Sequence, residues 1–363
     1  MTSSPLPLLE HIRHAVQYAG GWLPFDAYMD LALYRPGQGY YARALPRFGD
    51  GPQDGSDFIT APELSPLFGQ TLARQVAQAL RATGTNAVWE FGPGSGALAS
   101  QILTALDEQG LHVHMHLVEL SATLRQRQQA RLQPWVGRVH WHDTLPDSLE
   151  GVVLGNELLD AMPVQLLARR EGRWHERGVA LNAHGALCWS DRLTTLRPPM
   201  DIPGSHDYVT EIHPRALAFM RTLARVLRRG AAFLIDYGFP QYEYYHPQRH
   251  MGTLMCHRGH RSDSELLQDV GDKDITAHVD FSAIALAAQD ADLHVLGYTS
   301  QAHFLFNCGL TTLLEGADLA QRTRAQRLVV EHEMGELIKV LGVAACEPFL
   351  ALGFSQGDRT HTL

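Results

Sequence analysis

A glycine-rich loop follows directly after a short apolar stretch of the chain. The glycines are Gly92, Gly94 and Gly96, the preceding residues 87–91 predict a β-strand, and the residues from Ala97 onward predict a helix. Glycines in such a loop let the backbone turn tightly and let a ligand approach the main chain without a Cβ in the way. A strand, a glycine-rich loop and a helix in this order predict a nucleotide-binding site.

Two carboxylates near this loop bear on which nucleotide it binds. Glu90 lies two residues before the first glycine, where it would repel a pyrophosphate but suits the positive amino and sulfonium groups of S-adenosylmethionine. Glu119 ends the next apolar strand, where a carboxylate can accept hydrogen bonds from both ribose hydroxyls. S-adenosylmethionine is therefore the favoured cofactor. The glycine spacing also fits a dinucleotide, so an NAD(P) site and an ordinary strand–helix turn stay open as alternatives.

A second polar group follows the fourth predicted strand, residues 151–156. Ligands of an open parallel sheet bind at the carboxyl ends of its strands, which is where Asn156, Glu157 and Asp160 come. Three residues apart, Glu157 and Asp160 are expected to share one face of a helical turn. We expect Glu157 to contact a substrate cation, Asp160 to support it and Asn156 to bridge cofactor and substrate. An asparagine cap with acidic residues in the first helical turn is the purely structural alternative.

Two further residues are candidates for the site. His278 and Asp280 lie in a segment too polar for plain core, and His278 is a candidate proton acceptor because histidine titrates near neutral pH. Tyr237, beside Asp236 at the end of a core strand, is a candidate for lining the pocket. A lone histidine with a structural role is the alternative for His278.

Composition narrows the class of protein. With 363 residues the chain can hold one large α/β domain with an insertion, or two domains, and its 45% hydrophobic and 19% charged residues are typical of a soluble globular protein. A net charge of −9 and the lack of a long basic run argue against a nucleic-acid partner. Four well-separated cysteines predict neither a disulfide framework nor a zinc site. Without a signal pattern or an apolar run of about 18 residues, a cytoplasmic protein with no membrane span is expected.

Strands alternate with helices from residue 87 to residue 156, which predicts a doubly wound, mostly parallel sheet of α/β type. The other predicted elements are, in chain order, a helix over 8–33, a Gly/Pro/Asp-rich loop over 47–55, a helix from Pro62 through Leu80, short antiparallel strands over 165–189, a helix over 214–229, a strand over 231–238, a polar lid or loop over 242–274, a helix over 281–291, a strand over 293–299 and helices to about Leu341.

These elements suggest a division of the chain into three parts. They are an N-terminal helical extension over 1–85 that covers the active site, a core over 86–164 and 212–363, and inserted antiparallel strands over 165–211. The strands of the insertion could form a dimer surface or a substrate wall. Both interpretations stay open, and the chain could therefore form a homodimer.

Several short sequence motifs along the chain resemble those of a known family. They are Asp57-Phe58-Ile59-Thr60-Ala61-Pro62-Glu63, the Glu90 and glycine loop, Asn156-Glu157-Leu158-Leu159-Asp160-Ala161-Met162-Pro163-Val164, Asp236-Tyr237-Gly238, Gly252-Thr253-Leu254, Asp274-Ile275-Thr276-Ala277-His278-Val279-Asp280-Phe281 and Met334-Gly335-Glu336-Leu337. In order and spacing they resemble the MidA-like family of class I S-adenosylmethionine-dependent methyltransferases, from about residue 28 to the C-terminus. The loop over 48–56 departs from the pattern because it is longer than expected and leads into Ser56-Asp57-Phe58 where the family has Gly-Asp-Phe.

The resemblance implies a Rossmann-like methyltransferase that uses S-adenosylmethionine to methylate an arginine of a protein substrate, in some members a respiratory complex I subunit. Arginine stays protonated at neutral pH and pairs bidentately with carboxylates, which agrees with the Glu157 and Asp160 pair. The lack of a mitochondrial presequence fits a bacterial protein. An assembly factor that binds S-adenosylmethionine without catalysis, and a small-molecule methyltransferase, are the alternatives.

The resemblance also implies cofactor roles for individual residues. They are Glu90, Gly92, Gly94, Gly96 and Glu119 in the two cofactor motifs, Thr60 and Pro62 in the N-terminal signature, and Asp143 at the end of the third strand, where related enzymes bind the adenine amino group with an acid. A simple helix cap is the alternative for Asp143. Glu63 could face the cofactor or the substrate, or act only as a first-turn acid.

Overall fold

The computed structural model describes residues 6–43 and 59–363, so the predicted 47–55 loop and the Asp57-Phe58 part of the N-terminal motif lie outside the described residues. The described α-helices are α1 (Leu8–Tyr18), α2 (Phe25–Tyr34), α3 (Ala61–Leu64), α4 (Pro66–Thr83), α5 (Ala97–Glu108), α6 (Ala122–Arg131), α7 (Pro214–Val226), α8 (Gln241–Tyr244), α9 (Phe281–Gln289), α10 (Gln301–Asn307), α11 (Leu310–Gly316) and α12 (Leu319–Val329).

The described strands are β1 (Leu23–Pro24), β2 (Ala87–Phe91), β3 (His114–Val118), β4 (Val139–His142), β5 (Leu149–Asn156), β6 (Gln165–Arg170), β7 (Arg173–Leu181), β8 (Leu187–Leu193), β9 (Tyr208–Ile212), β10 (Leu227–Phe239), β11 (Met255–Arg258), β12 (Arg261–Asp263), β13 (Asp274–Thr276), β14 (Val279–Asp280), β15 (His294–Ser300) and β16 (Ile338–Ala344).

The chain forms two compact units. The first comprises Met1–Leu45, Asp160–Ala216 and Gln241–His278, and the second comprises Pro46–Leu159, Leu217–Pro240 and Val279–Leu363. The three-part division that the sequence suggests has other boundaries, and it stays a prediction.

The second unit is built on a sheet with the strand order β15-β16-β10-β5-β2-β3-β4, with β14 paired to β10. The neighbours from β10 to β4 are parallel, whereas β16 is antiparallel to both β10 and β15. This mostly parallel sheet with flanking helices confirms the predicted Rossmann-like class I methyltransferase fold. Such a sheet brings the loops after its parallel strands to one edge.

An apolar core supports this sheet. The helices α4 and α5 carry apolar side chains at helical spacing, among them Leu72, Val76 and Ile102, and these belong to one buried cluster with Met115 and Leu117 of β3. The cluster holds the strands and helices rigidly, so the polar residues at the ends of the strands have fixed positions.

The first unit contains two antiparallel sheets. One has the order β1-β7-β6-β9, with β8 paired to β7, and the other has the order β12-β11-β13. The second sheet has two strands inside the 242–274 segment and a third that begins at Asp274, so the segment is not a plain loop, and its role as a lid stays a prediction. Its strands are short and polar, with few of the apolar alternations that identify a strand in a sequence.

Three predicted helices were wrong in extent. The 8–33 helix is interrupted by Gly20 and Gly21, whose φ values are 74° and 87°, and continues as α2 only after Pro24. The helix from Pro62 breaks at Ser65, which is extended at φ −153° because the following proline disfavours helical backbone. The 214–229 helix ends at Val226, where β10 begins.

The helices predicted after residue 299 are present as α10, α11 and α12, but their extension to about Leu341 was wrong. Residues from Ile338 to Ala344 form β16, and every one of them is buried. Apart from Lys339 the run is apolar, and a short apolar run fits a buried strand as well as a buried helix, so spacing alone cannot distinguish the two.

Candidate functional site

The glycine loop of the second unit follows β2 and leads into α5. Gly92, Gly94 and Gly96 have φ values of 64°, 53° and 80°, a backbone region that side chains with a Cβ rarely adopt. A Cβ on Gly92 would also lie 3.3 Å from Leu158 Cδ1, and one on Gly96 would lie 3.3 Å from Gln128 Cγ. Conformation therefore favours glycine at all three positions, and limited space favours it at Gly92 and Gly96 as well.

Glu90 lies beneath this loop and is 3% exposed. Its Oε2 has no hydrogen-bond partner. Burial, with a smaller contribution from the nearby Glu119, raises the pKa of Glu90 to about 8, although the backbone amide of Ala99 acts in the opposite direction. A buried carboxyl with an unused oxygen is a position where a positively charged group of a ligand would be stabilised.

Glu119 follows β3 and is 8% exposed. Its Oε1 accepts a hydrogen bond from the Ser121 amide at 2.7 Å, and its Oε2 accepts one from Gln128 Nε2 at 3.1 Å. Burial raises the pKa of Glu119, while these hydrogen bonds oppose that shift. Both carboxylate oxygens therefore have fixed positions next to the glycine loop.

The N-terminal signature residues lie in and before α3. Thr60 precedes the helix, and its carbonyl oxygen accepts from the Glu63 and Leu64 amides. Pro62 is buried in the first turn, and its carbonyl oxygen accepts from Gln101 Nε2 at 2.7 Å. Glu63 does more than act as a first-turn acid. Its carboxylate is 5% exposed and bonds to Ser95 of the glycine loop and to Arg131 of α6.

Asp143 follows β4 at the same edge of the sheet. Its side chain is 76% exposed and forms an ion pair with Arg125. The carboxylate is therefore open to solvent and reachable by a ligand. The following residues do not begin a helix, so the prediction of a simple helix cap was wrong.

The segment after β5 does not form the predicted helical turn. Glu157 has a φ of 49°, and its amide donates to the Ile235 carbonyl at 2.8 Å, which continues the strand pairing instead of starting a helix. The buried Asp236 then accepts from the Leu158 and Leu159 amides at 3.0 and 2.7 Å. A carboxylate distant in sequence thus organises this turn, so the argument that Glu157 and Asp160 share a helix face was wrong.

Asn156 and Glu157 remain next to each other at the carboxyl end of β5. Asn156 Nδ2 donates to Glu157 Oε1 at 3.1 Å, while the buried Asn156 Oδ1 has no hydrogen-bond partner. Tyr237, at the end of β10, is only partly buried and packs against the apolar core cluster. Two buried oxygens without hydrogen-bond partners, Glu90 Oε2 and Asn156 Oδ1, therefore lie on the neighbouring parallel strands β2 and β5.

Asp160 belongs to the first unit, where it is 6% exposed in an acidic and aromatic cluster. Tyr41 donates to Asp274 Oδ2 at 2.8 Å, and the rings of Tyr34 and Tyr41 stack at 5.6 Å between centroids. Burial raises the pKa of both tyrosines well above the usual range, and the charges of Asp274 and Asp160 raise it further. The cluster therefore concentrates negative charge beside aromatic surface.

His278 also belongs to the first unit, at the edge of a buried polar network. Its amide donates to Thr253 Oγ1 at 3.0 Å, and Thr253 in turn bonds to Glu211, a fully buried carboxylate on β9. His213 lies in the same network, and its pKa is lowered to about 4 by burial and by His278. These contacts fix the backbone position of His278.

Sequence reasoning missed the residues that link these segments. Gln128, Glu211 and the role of Asp236 had no local signal, because each bonds to partners many positions away in the chain. The glycine of Gly252-Thr253-Leu254 was a usable hint, since a Cβ there would lie 2.3 Å from Glu211 Oε1.

Two negative observations complete the description. Among residues 6–43 and 59–363, no group of three or more His, Cys, Asp or Glu side chains is arranged to hold a metal ion. No helix in the same part of the chain is long and apolar enough to cross a membrane.

The donor set of the second unit fits S-adenosylmethionine. The glycine loop offers open backbone, Glu90 offers a carboxyl oxygen that a cationic group would keep ionised, and the fixed Glu119 carboxylate suits a pair of hydroxyls. A pyrophosphate would bring no positive charge to Glu90, and its negative charge would disfavour the ionised carboxylate. The geometry therefore favours S-adenosylmethionine over a dinucleotide.

Comparisons with known proteins agree with S-adenosylmethionine as the cofactor. The family model of S-adenosyl-L-methionine-dependent methyltransferases matches residues 71–299. Protein arginine methyltransferase NDUFAF7, mitochondrial, of Danio rerio is 28% identical, over 93% of this chain and 86% of that protein, and the Homo sapiens protein of the same name is 27% identical, over 85% and 75%.

A crystal structure of a Burkholderia thailandensis protein bound to S-adenosyl-homocysteine is 47% identical, with a TM-score of 0.95 over 99% of this chain and 100% of that chain. A native crystal structure from the same organism is 46% identical, with a TM-score of 0.90. The chain belongs to the MidA-like family of S-adenosyl-L-methionine-dependent methyltransferases, with S-adenosylmethionine as its cofactor.

Proposed function

We propose that this methyltransferase methylates the guanidinium group of an arginine in a protein acceptor. For the methyl donor, the observation that carries the proposal is the buried Glu90 oxygen without a partner beside the glycine loop. For the acceptor, support comes from relatives named protein arginine methyltransferases and from the buried carboxylates of the first unit. A respiratory complex I subunit, which the family resemblance implies, is the first acceptor to test.

In the second unit we assign the cofactor-binding residues. Glu90 takes the cationic end of the cofactor, Glu119 takes the ribose hydroxyls, and Asp143 takes the adenine amino group. Gly92, Gly94 and Gly96 let the cofactor approach the backbone, Thr60 and Pro62 position α3 next to the loop, and Asn156 contributes its buried oxygen.

The acceptor requires negative charge, because a guanidinium is protonated at neutral pH. We assign Glu157 of the second unit and Asp160 of the first unit to this role. A carboxylate pairs with two guanidinium nitrogens and leaves the third free to react. The aromatic rings of Tyr34 and Tyr41 add a surface on which a planar cation can stack.

The cofactor supplies an electrophilic methyl group on a positively charged sulfur. A new N–C bond forms at the guanidinium nitrogen while the C–S bond breaks and its electron pair stays on sulfur. The nitrogen loses one proton, and we assign His278 to accept it. We assign Glu157 to orient the nitrogen toward the methyl carbon, because correct orientation of the nucleophile lowers the barrier to transfer.

Binding and transfer can be tested in sequence. Calorimetric titration with S-adenosylmethionine and with NADH is carried out on the wild type and on Gly94→Val, which forces a β-branched side chain to a φ of 53°. We expect S-adenosylmethionine binding that the substitution abolishes, and no NADH binding. The reverse result would contradict the cofactor assignment.

Transfer is then measured by mass spectrometry on arginine-containing peptides, with complex I subunits from the host as the first set. Asp160→Asn is expected to lower kcat/KM at least tenfold without changing cofactor affinity, because it removes only charge from the acceptor side. Asp201→Asn, at an exposed aspartate of the same unit, is the control. Cofactor binding without transfer to any arginine would favour the assembly-factor alternative.

A further inference from the structure

Gln128 is an unusual residue for its position on α6. The helix is polar and largely exposed, yet it buries one residue, and that residue is a glutamine with 0% exposure. A buried primary amide costs free energy unless its donors and acceptor are paired. The burial of this amide therefore needs an explanation in its partners.

Its partners belong to three separate parts of the second unit. Gln128 Nε2 donates to the Gly94 carbonyl at 2.8 Å and to Glu119 Oε2 at 3.1 Å, and Gln128 Oε1 accepts from Trp141 Nε1 at 3.0 Å. One side chain thus connects the glycine loop, the end of β3 and β4. The two donor protons of the amide are both directed at the cofactor-binding segments.

The glycine loop is shaped to receive this side chain. A Cβ on Gly96 would lie 3.3 Å from Gln128 Cγ and 3.5 Å from its Cα. Contacts of 3.3 Å are tighter than ordinary van der Waals distance, so the third glycine of the loop allows α6 to approach closely. Gln128 and Gly96 therefore form a matched pair in the packing.

We propose that Gln128 is a positioning residue for the cofactor's ribose. It holds one Glu119 oxygen at a fixed place relative to the glycine loop, while the Ser121 amide holds the other. The carboxylate then cannot rotate away from the ribose hydroxyls. This inference rests on the proposed binding of the ribose by Glu119.

The electrostatics point the same way. Burial raises the pKa of Glu119, and the hydrogen bonds from Ser121 and Gln128 lower it again. Arg125 also favours the charged form. The amide of Gln128 therefore helps to keep Glu119 ionised, the form that accepts two hydroxyl donors.

Gln128→Met tests the proposal, because methionine fills a similar volume but has no amide. Titration calorimetry measures binding of S-adenosylhomocysteine and of its 2′-deoxy analogue. We expect S-adenosylhomocysteine to bind about tenfold to a hundredfold more weakly to the variant. The preference of the wild type for the ribose form over the deoxy form is expected to fall at least fivefold.

The matched control is Gln129→Met, at the next position of the same helix, where the side chain is exposed. It is expected to bind both ligands like the wild type. A merely structural role of Gln128 would weaken both ligands equally and leave the ribose preference unchanged, and that result would overturn the proposal. Unchanged affinity in Gln128→Met would overturn it as well.

A second variant covers the case in which Gln128→Met does not fold. Trp141→Phe removes the hydrogen bond to Gln128 Oε1 and leaves Gln128 in place. We expect a twofold to fivefold loss of affinity with a smaller loss of ribose preference, and wild-type behaviour would count against the proposal. Failure of the wild type to bind S-adenosylhomocysteine at all would instead contradict the proposed function.

Discussion

Glu211 in the first unit and Glu90 in the second are both buried glutamates with opposite surroundings. Glu211 accepts hydrogen bonds from the Tyr244 hydroxyl at 2.8 Å, from the Thr253 amide and hydroxyl at 2.9 and 3.2 Å, and from the Leu254 amide at 3.2 Å. Glu90 has an oxygen with no partner. A carboxylate surrounded by donors stabilises a fold, whereas one with an unused oxygen next to an open loop is available to a ligand.

The glycines near the two residues follow the same division. Gly252 has a φ of 74° and lies so close to Glu211 that a Cβ would be 2.3 Å from its oxygen, so it serves the internal network. The glycines of the loop after Glu90 leave backbone open for a cofactor. Buried charge thus has a structural use in one unit and a binding use in the other.

The largest expected effect is on stability at Glu211. Glu211→Gln keeps the size of the side chain but replaces an acceptor oxygen with an amide nitrogen, which leaves buried donors of Tyr244, Thr253 or Leu254 unpaired. We expect a loss of about 4 kcal/mol of unfolding free energy, because each unpaired buried group costs about 1–3 kcal/mol. Urea denaturation measures it.

Glu265→Gln, at an exposed glutamate of the same unit, is the control for that substitution. Equal stability of Glu211→Gln and Glu265→Gln would show that the Glu211 network does not stabilise the unit. That result would contradict the contrast with Glu90, because Glu211 would then not be a carboxylate that stabilises the fold.

The next largest effect is expected at Glu90, where substitution by glutamine raises the free energy of unfolding instead of lowering it. Its pKa rises from 4.5 to about 8 in the folded protein, so the folded state binds more protons than the unfolded state and stability falls as the pH rises between these values. We expect Glu90→Gln to be about 2 kcal/mol more stable than the wild type at pH 8, without ligand.

The same variant is expected to bind S-adenosylhomocysteine about tenfold to a hundredfold more weakly, because a neutral amide cannot form an ion pair with the ligand's ammonium group. Denaturation at pH 5 and pH 8 and calorimetric titration measure the two effects. A less stable variant with unchanged affinity would mean that Glu90 is a structural carboxylate like Glu211.

The smallest effect concerns protons released on binding. At pH 7 Glu90 is mostly protonated in the free protein, and a cationic amino group beside it favours the ionised form. We expect S-adenosylhomocysteine to displace about one proton, seen as a difference in binding enthalpy between phosphate and Tris buffers. Glu90→Gln should show little difference, and equal enthalpies for the wild type in both buffers would argue against this role.

Much of the second unit could be predicted from sequence because its signals are local. The strand, glycine loop and helix over 87–108 have spacing that is visible within about 20 residues, and Glu90 and Glu119 stand at the ends of strands. The mostly apolar residues of β16 have no such local signal, so the sequence predicts helix as far as about Leu341, inside this strand. Its antiparallel pairing with β10 decides its conformation.

The sequence by itself determined the family, the cofactor and the glycine loop, because backbone conformation and strand ends depend on neighbouring residues. Only the tertiary structure decided which buried carboxylates have their oxygens hydrogen-bonded within the protein and which have an oxygen available to a ligand. Folding brings Gln128 within hydrogen-bond distance of Glu119 and Asp236 within hydrogen-bond distance of the Leu158 amide. It likewise brings the Thr253 amide to Glu211. Hydrogen-bond partners of buried groups are chosen in space, so no local pattern can reveal them.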